Sequence, residues 1–369
     1  MTAARWGLRH VGGALLYVLE GLLVTAIALG LASAYLPPAL FWWTGLPATV
    51  LPYLMLVLVA TTFVMAWRRR WIRVVGYAFL AVVFVGKIGF AGVPSLSSTA
   101  PADDSLRVFS YNLTPQGNLG RTATRASLYD IVDEVRPHIT AIQGAPAVYF
   151  RNPPRPSWPI DTLLATTYRL ATEINPTGYR ETHQPIFARA NAPSLRYDRK
   201  ELLRPTSSAN PERPFARAQM TWKGQPISIY NVHLRSFERD AAYEALDDGR
   251  YFEALDAFLT SYRRNARQRA DEAAALARIV ADDPRPTLVV GDLNATPFHW
   301  EYRQLSRHLA NAAPGAGIFS PTWHTRLPFV RIDHIFVSPE WNVTSTQTLS
   351  TPLSDHRPIA ATLTLDARR

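Results

Sequence analysis

The 369-residue chain contains no cysteine, which excludes structural disulfides and thiolate-bound zinc and is compatible with either redox compartment. It has no Walker loop, dinucleotide-binding glycine fingerprint, HExxH pair or nucleophile-elbow serine, so the enzyme classes built on those signatures are set aside. No internal repeat is present. Acidic residues are scarce at one end: residues 1–93 hold seven basic side chains and Glu20 as their one acid. Six of the ten net positive charges therefore lie there. The +4 left to residues 94–369 is too weak alone to argue for a nucleic-acid partner.

What the first 93 residues do have is apolar length. Stretches at about 11–35, 40–66 and 74–93 each approach the ~20 residues needed to cross a hydrocarbon core, and predict three transmembrane helices. The first could be read as a signal peptide cleaved near Ala32-Ser33-Ala34, but it is long for one and Glu20 interrupts it, which favours an uncleaved helix. Arg5 and Arg9 precede the first stretch, and Arg68, Arg69, Arg70 and Arg73 separate the second from the third. Positive loops stay in the cytoplasm, so everything after the third helix is expected on the extracytoplasmic side, in a multi-pass protein of a plasma or bacterial inner membrane. Glu20 and Lys87 fall within the spans; a neighbouring helix for the glutamate and snorkelling for the lysine are favoured over a functional role.

Residues 94–105 (PSLSSTAPADDS) read as a linker, and 106–369 as one domain. Strands are predicted at 106–112, 139–143, 168–174, 184–189, 215–222, 226–234, 286–291, 331–338 and 358–365, and helices at 121–136, 240–262 and 264–281. This alternation indicates an α/β domain. The proline-rich 150–160 segment reads as a surface loop, where Arg151, Arg155 and Trp158 are more simply surface residues than substrate contacts.

Several strands finish in residues suited to metal or phosphate. In TLVVGDLNATP (287–297), Asp292 and Asn294 are two apart, so on an extended chain they share a face and offer oxygen ligands to a hard cation. Asn112 ends SLRVFSYNL; in ISIYNVHL, Ile227, Ile229, Asn231 and His233 form a face running from apolar to polar. RIDHIFVSP buries Asp333 and His334, where a charge needs a partner. LSDHRPIAATL places Asp355 and His356 in a turn before the last strand. Taken singly, each is equally a cap, an Asx turn or a surface histidine.

Taken in order, the set Asn, His, Asp-x-Asn, Asp, Asp-His resembles the endonuclease/exonuclease/phosphatase superfamily, which includes pancreatic-type deoxyribonucleases, apurinic endonucleases, neutral sphingomyelinases and inositol-polyphosphate 5-phosphatases. The resemblance covers about 106–365, with GDLN and SDH-x-P its most specific pair. It implies a two-sheet β-sandwich flanked by helices, with the site at one end of the sheets, and metal-dependent cleavage of a phosphate ester. By motif position, His356 would be the general base oriented by Asp333. Asp292 and Asn294 would hold metal or phosphate, Asp355 would join the metal site, Asn112 would hold phosphate or metal, and His233 would stabilise the transition state. The ion implied is Mg²⁺ or Mn²⁺.

One position departs from the pattern. The family's second strand usually ends in Gln-Glu, the Glu being the principal carboxylate on the metal; here the pair is Gln143-Gly144. Glu134 precedes Pro137 in a helix pattern, and Glu173 and Glu181 have no sequence claim to the role. The site could bind metal weakly, recruit another carboxylate, or hold a phosphorylated ligand without catalysis. The expected function is therefore an extracytoplasmic phosphodiesterase or phosphatase acting on a phospholipid, another envelope phosphoester or nucleic acid. The alternative is a non-catalytic member that binds a phospholigand or a protein.

Overall fold

In a computed structural model, the structure describes all residues except 1, 89–103, 114–121, 145–146, 150–167, 171–179, 183, 191–194, 198–214, 237–239, 314–319, 326–328 and 367–369. The expected loop at 150–160 and Glu173 lie outside the described residues, as does most of the linker.

The N-terminal quarter is helical: α1 (Thr2–Ala32), the single turn α2 (Pro38–Phe41), α3 (Gly45–Trp67) and α4 (Trp71–Ile88). Leucine-, valine- and alanine-rich sequence without periodic polar positions gives helices that are apolar all round, as membrane spans are. Among the described residues, two segments are long and apolar enough to cross a membrane, Ala14–Tyr35 and Pro38–Trp67. The third expected span is a helix, but α4 has 18 residues; that is about 27 Å, just short of a ~30 Å core. Glu20 faces α4, where Arg73 and the Tyr77 hydroxyl both bond its carboxylate, and Lys87 donates to the Leu31 carbonyl. Both ionisable groups are thus absorbed by helix packing.

The rest forms two six-stranded mixed sheets flanked by helices. The strands are β1 (Leu106–Asn112), β2 (Ile139–Gln143), β3 (Ala147–Tyr149), β4 (Tyr168–Leu170), β5 (Arg180–Thr182), β6 (Ile186–Arg189), β7 (Leu195–Tyr197), β8 (Phe215–Trp222), β9 (Gln225–His233), β10 (Thr287–Asp292), β11 (Ala310–Asn311), β12 (Asp333–Val337), β13 (Trp341–Thr348) and β14 (Ile359–Leu365). One sheet has the order β13-β14-β1-β2-β6-β4 and the other β11-β12-β10-β9-β8-β7; β3 and β5 pair separately. The helices are α5 (Thr122–Val135), α6 (Asp240–Asp247), α7 (Tyr251–Ala281) and α8 (Trp300–Ser306). The helix break expected at residue 263 lies instead around Gly249, whose φ of +74 ends α6 in the left-handed region that glycine enters without penalty.

Alternation along the strands decides what lies where. Leu106, Val108, Ile139 and Ala141 of the first sheet meet Ile227, Ile229, Leu288, Val290, Ile335 and Val337 of the second in the inter-sheet core. The intervening residues point outward: Phe109, Tyr111 and Ile142 onto Leu128 and Val132 of α5, and Tyr230, Val232 and Val289 onto Ala273, Leu276 and Val280 of α7. Each fully buried leucine, isoleucine or valine contributes about 1.5–3 kcal/mol, so the sandwich is held mainly by these two kinds of row.

Candidate active site

The inward rows carry on past the apolar core and end in polar side chains at one edge. Along β1 the series Leu106, Val108 continues to Ser110 and Asn112; along β10, Leu288 and Val290 lead to Asp292; along β9, Ile227 and Ile229 lead to Asn231 and His233. Register aligns these ends, with Asp292 opposite both Asp333 on β12 and His233 on β9, and Asn112 opposite Gln143. A polar layer ties the sheets beneath the site: Gln143 Nε2 donates to Asn231 Oδ1 (2.6 Å) and Ser110 Oγ (3.1 Å), and Asn231 Nδ2 to the carbonyls of Ile142 and Pro185. No role was predicted from sequence for Ser110, Gln143 or Asn231, although Asn231's place on the His233 face was visible.

Above that layer lies a tight cluster. His356 Nδ1 donates to Asp333 Oδ2 at 3.0 Å, and Asn112 Nδ2 donates to Asp292 Oδ2 at 2.8 Å. The His356 and His233 Nε2 atoms approach Asp292 Oδ2 at 3.8 and 3.7 Å. Asp292, Asp333 and His356 are buried, and their ligand atoms all lie within 4.8 Å of one another. Burial pushes the Asp292 carboxyl up, the facing Asp333 adds to this, and His356 opposes it. Burial alone would push His356 down, but the carboxylates of Asp333 and then Asp292 outweigh it and hold the imidazole up at about 9. A carboxylate on Nδ1 fixes the ring so that Nε2 faces the cleft.

The other expected residues line the same cleft of about 210 Å³. Asn294 has a φ of +48; its backbone N–H donates to Asp292 Oδ1 (2.7 Å) and its amide to the Leu234 carbonyl (2.9 Å). Asp355 Oδ2 accepts from the Trp323 indole at 3.0 Å, and the Ser354 hydroxyl donates to the Asn112 carbonyl at 2.7 Å, fastening the SDH turn to β1. His334 does not join the cluster. Strand alternation turns it to the outer face, where it contacts Tyr302 and Phe336 and bonds the Ala295 carbonyl at 3.0 Å.

Gly144 has a φ of +72, and a Cβ there would lie 2.8 Å from Asn112 Oδ1 and 3.1 Å from the Leu113 carbonyl oxygen. The space a side chain would need is thus taken by the Asn112 amide. Its Oδ1 is buried without a hydrogen-bond partner, beside two buried carboxylates. An orphaned acceptor next to paired negative charge fits a hard cation, which prefers oxygen donors. No carboxylate comes from β2. Glu181 sits on β5 with its side chain outside the described set.

Residues 98–356 match the model of the Endonuclease/Exonuclease/phosphatase family, and the chain belongs to that family. No curated protein matches it. Among solved structures it is similar to an endonuclease/exonuclease/phosphatase from Bacteroides vulgatus, with 18% identity over 71% of this chain and 99% of that one and a TM-score of 0.48. It is also similar to D. rerio TDP2 complexed with single-strand DNA product (16%, 70% and 98%, 0.48). A third is the human Nocturnin catalytic domain with bound sulfate (17%, 72% and 96%, 0.46).

Proposed function

We propose that the chain is a membrane-anchored, metal-dependent phosphoesterase. Residues 1–93 would be an anchor of about three transmembrane helices, 94–105 a linker, and 106–369 an extracytoplasmic catalytic domain. The observation that carries this is the Asp333–His356 bond set beside Asp292 and Asn112 at the polar edge of the sandwich. Within this reading, His356 Nε2 takes the proton of an attacking water and Asp333 holds the resulting imidazolium through Nδ1. Asn112, His233 and Asn294 bind and orient the phosphoryl oxygens. Asp292, the Asn112 oxygen, Asp355 and Asn294 are the groups that would hold Mg²⁺ or Mn²⁺. Such an ion would offset charge on the phosphoryl oxygens and, as a neighbouring positive charge, draw His356 down toward neutrality.

The orientation rests on two supports. One is the arginine bias. The other is the packing of the helices: Tyr35, Gly45, Thr49, Tyr53 and Phe84 contact the domain, while Arg68–Arg70 lie at the opposite end of α3. Gly144 favours a second reading, a non-catalytic phospholigand- or protein-binding member, because the family's carboxylate is missing there.

The deciding experiment uses the full chain in detergent with bis-p-nitrophenyl phosphate, titrating Mg²⁺ and Mn²⁺. Turnover that depends on the ion, and falls at least about 100-fold in His356→Ala, supports the enzyme. No turnover with either ion moves the binding reading to the front.

A further inference from the structure

The cleft that holds Asp292 and His356 is not built from the domain alone. Its wall includes Thr49, one turn into α3, beside Tyr262 and His299. Thr49 Oγ1 lies 3.3 Å from His299 Nε2, and the Thr296 hydroxyl reaches the Ala48 carbonyl at 3.5 Å. Gly45 is the reason the helix comes so close, because a Cβ there would lie 2.5 Å from the Tyr262 hydroxyl. One turn further along, Tyr53 stacks on Phe329 with ring centroids 4.7 Å apart. The segment after the GDLN strand is bound into the same seam, since Phe298 stacks on Phe84 and joins the Ala48, Leu51 and Met55 cluster.

In the anchored reading proposed above, the 23 residues of α3, about 34 Å long against a hydrocarbon core of ~30 Å, would bring its first turn near the headgroup level. That is where the phosphate of a lipid lies. The apolar rim continues outward: Leu40 is 71% exposed, and Tyr251, Phe252 and Leu255 are exposed on α7, the helix that Tyr262 belongs to. Apolar and aromatic groups at that depth suit the interface between water and acyl chains.

We propose that the first turns of α3 form a wall of the substrate site, and that the substrate is an amphiphilic phosphoester. Its phosphate reaches Asp292 and His356 along Thr49 while its hydrocarbon chain stays in the bilayer. This deepens the phosphoesterase reading and rests on it. The helices are then part of the substrate site as well as an anchor.

The test uses the full chain in phosphatidylcholine nanodiscs with Mg²⁺ and two diesters sharing one reacting group, p-nitrophenyl methyl phosphate and p-nitrophenyl hexadecyl phosphate. The hexadecyl ester is expected to be preferred by about 50-fold or more in kcat/KM. Thr49→Trp should cut the hexadecyl-to-methyl preference more than about tenfold, whatever its effect on the shared chemistry. Phe63→Trp, lipid-exposed on the far half of α3, should change neither; Thr49→Leu replaces Thr49→Trp if the tryptophan variant does not fold. A preference below about threefold, or one that survives Thr49→Trp, overturns the inference and leaves the phosphoesterase standing. So does faster cleavage of single-stranded DNA than of the hexadecyl ester. If neither the diesters nor the DNA are cleaved, the phosphoesterase reading fails and takes this one with it.

Discussion

At Gly144 two facts act together: a left-handed backbone and an Asn112 amide occupying the Cβ direction. Restoring the family's glutamate by Gly144→Glu is therefore expected not to raise activity. Any side chain at that φ costs about 1–2 kcal/mol before the Asn112 contact is counted. Thermal unfolding of the variant should show the loss, and metal-dependent turnover at or below the parent level should accompany it. Asp333 is the largest influence raising His356, so Asp333→Asn should act on rate and on pH together. As a base, His356 works in its neutral form, so kcat/KM should rise with pH along a limb between 6.5 and about 9. Removing the carboxylate lowers that pKa, so the limb should move to lower pH while the plateau falls about 100-fold or more and KM changes little. An unmoved limb would remove Asp333 from its positioning role.

At the scale of elements, β9 and β10 lie so close that Gly291, at φ +134, has the Val232 carbonyl where a Cβ would go. Gly291→Ala should destabilise the domain by about 3 kcal/mol, near 10 °C in Tm for a unit of this size. The alternation of β9 and β10 was readable without a structure, because apolar residues at every second position must share a face and their polar ends must then meet. Other elements carry no such signal. β13 (WNVTSTQT) is an edge strand exposed along most of its length, so it has no apolar row to betray it. Thr49 is one of several scattered hydroxyls in an apolar helix, and only the docking of α3 gives it a neighbour in the cleft. The left-handed backbone at Gly144 likewise depends on contacts between β1 and β2 that no local pattern encodes. Packing also buries His299 and half-buries His138, and burial lowers both to about 4. With native pKa values below the ordinary 6.5, both favour the neutral form. Their contribution to stability is complete above 6.5 and is lost as pH falls toward 4. The fall in unfolding midpoint between pH 6.5 and pH 4 should be smaller in His138→Gln than in the parent.

For the whole molecule, side is the first question. A reporter fused after Arg369 should be active only outside the cytoplasm; a cytoplasmic signal would reverse the orientation and place the cleft on the inner leaflet. The loop from Ala295 to His299 has a consequence of its own. It runs directly on from Asp292 and Asn294, and its far side is held by Ala48, Thr49 and Phe84. In the proposed anchored protein, a domain of residues 106–369 separated from its helices would lack one wall of the cleft and leave Phe298 bare, so it would not be a working enzyme on its own.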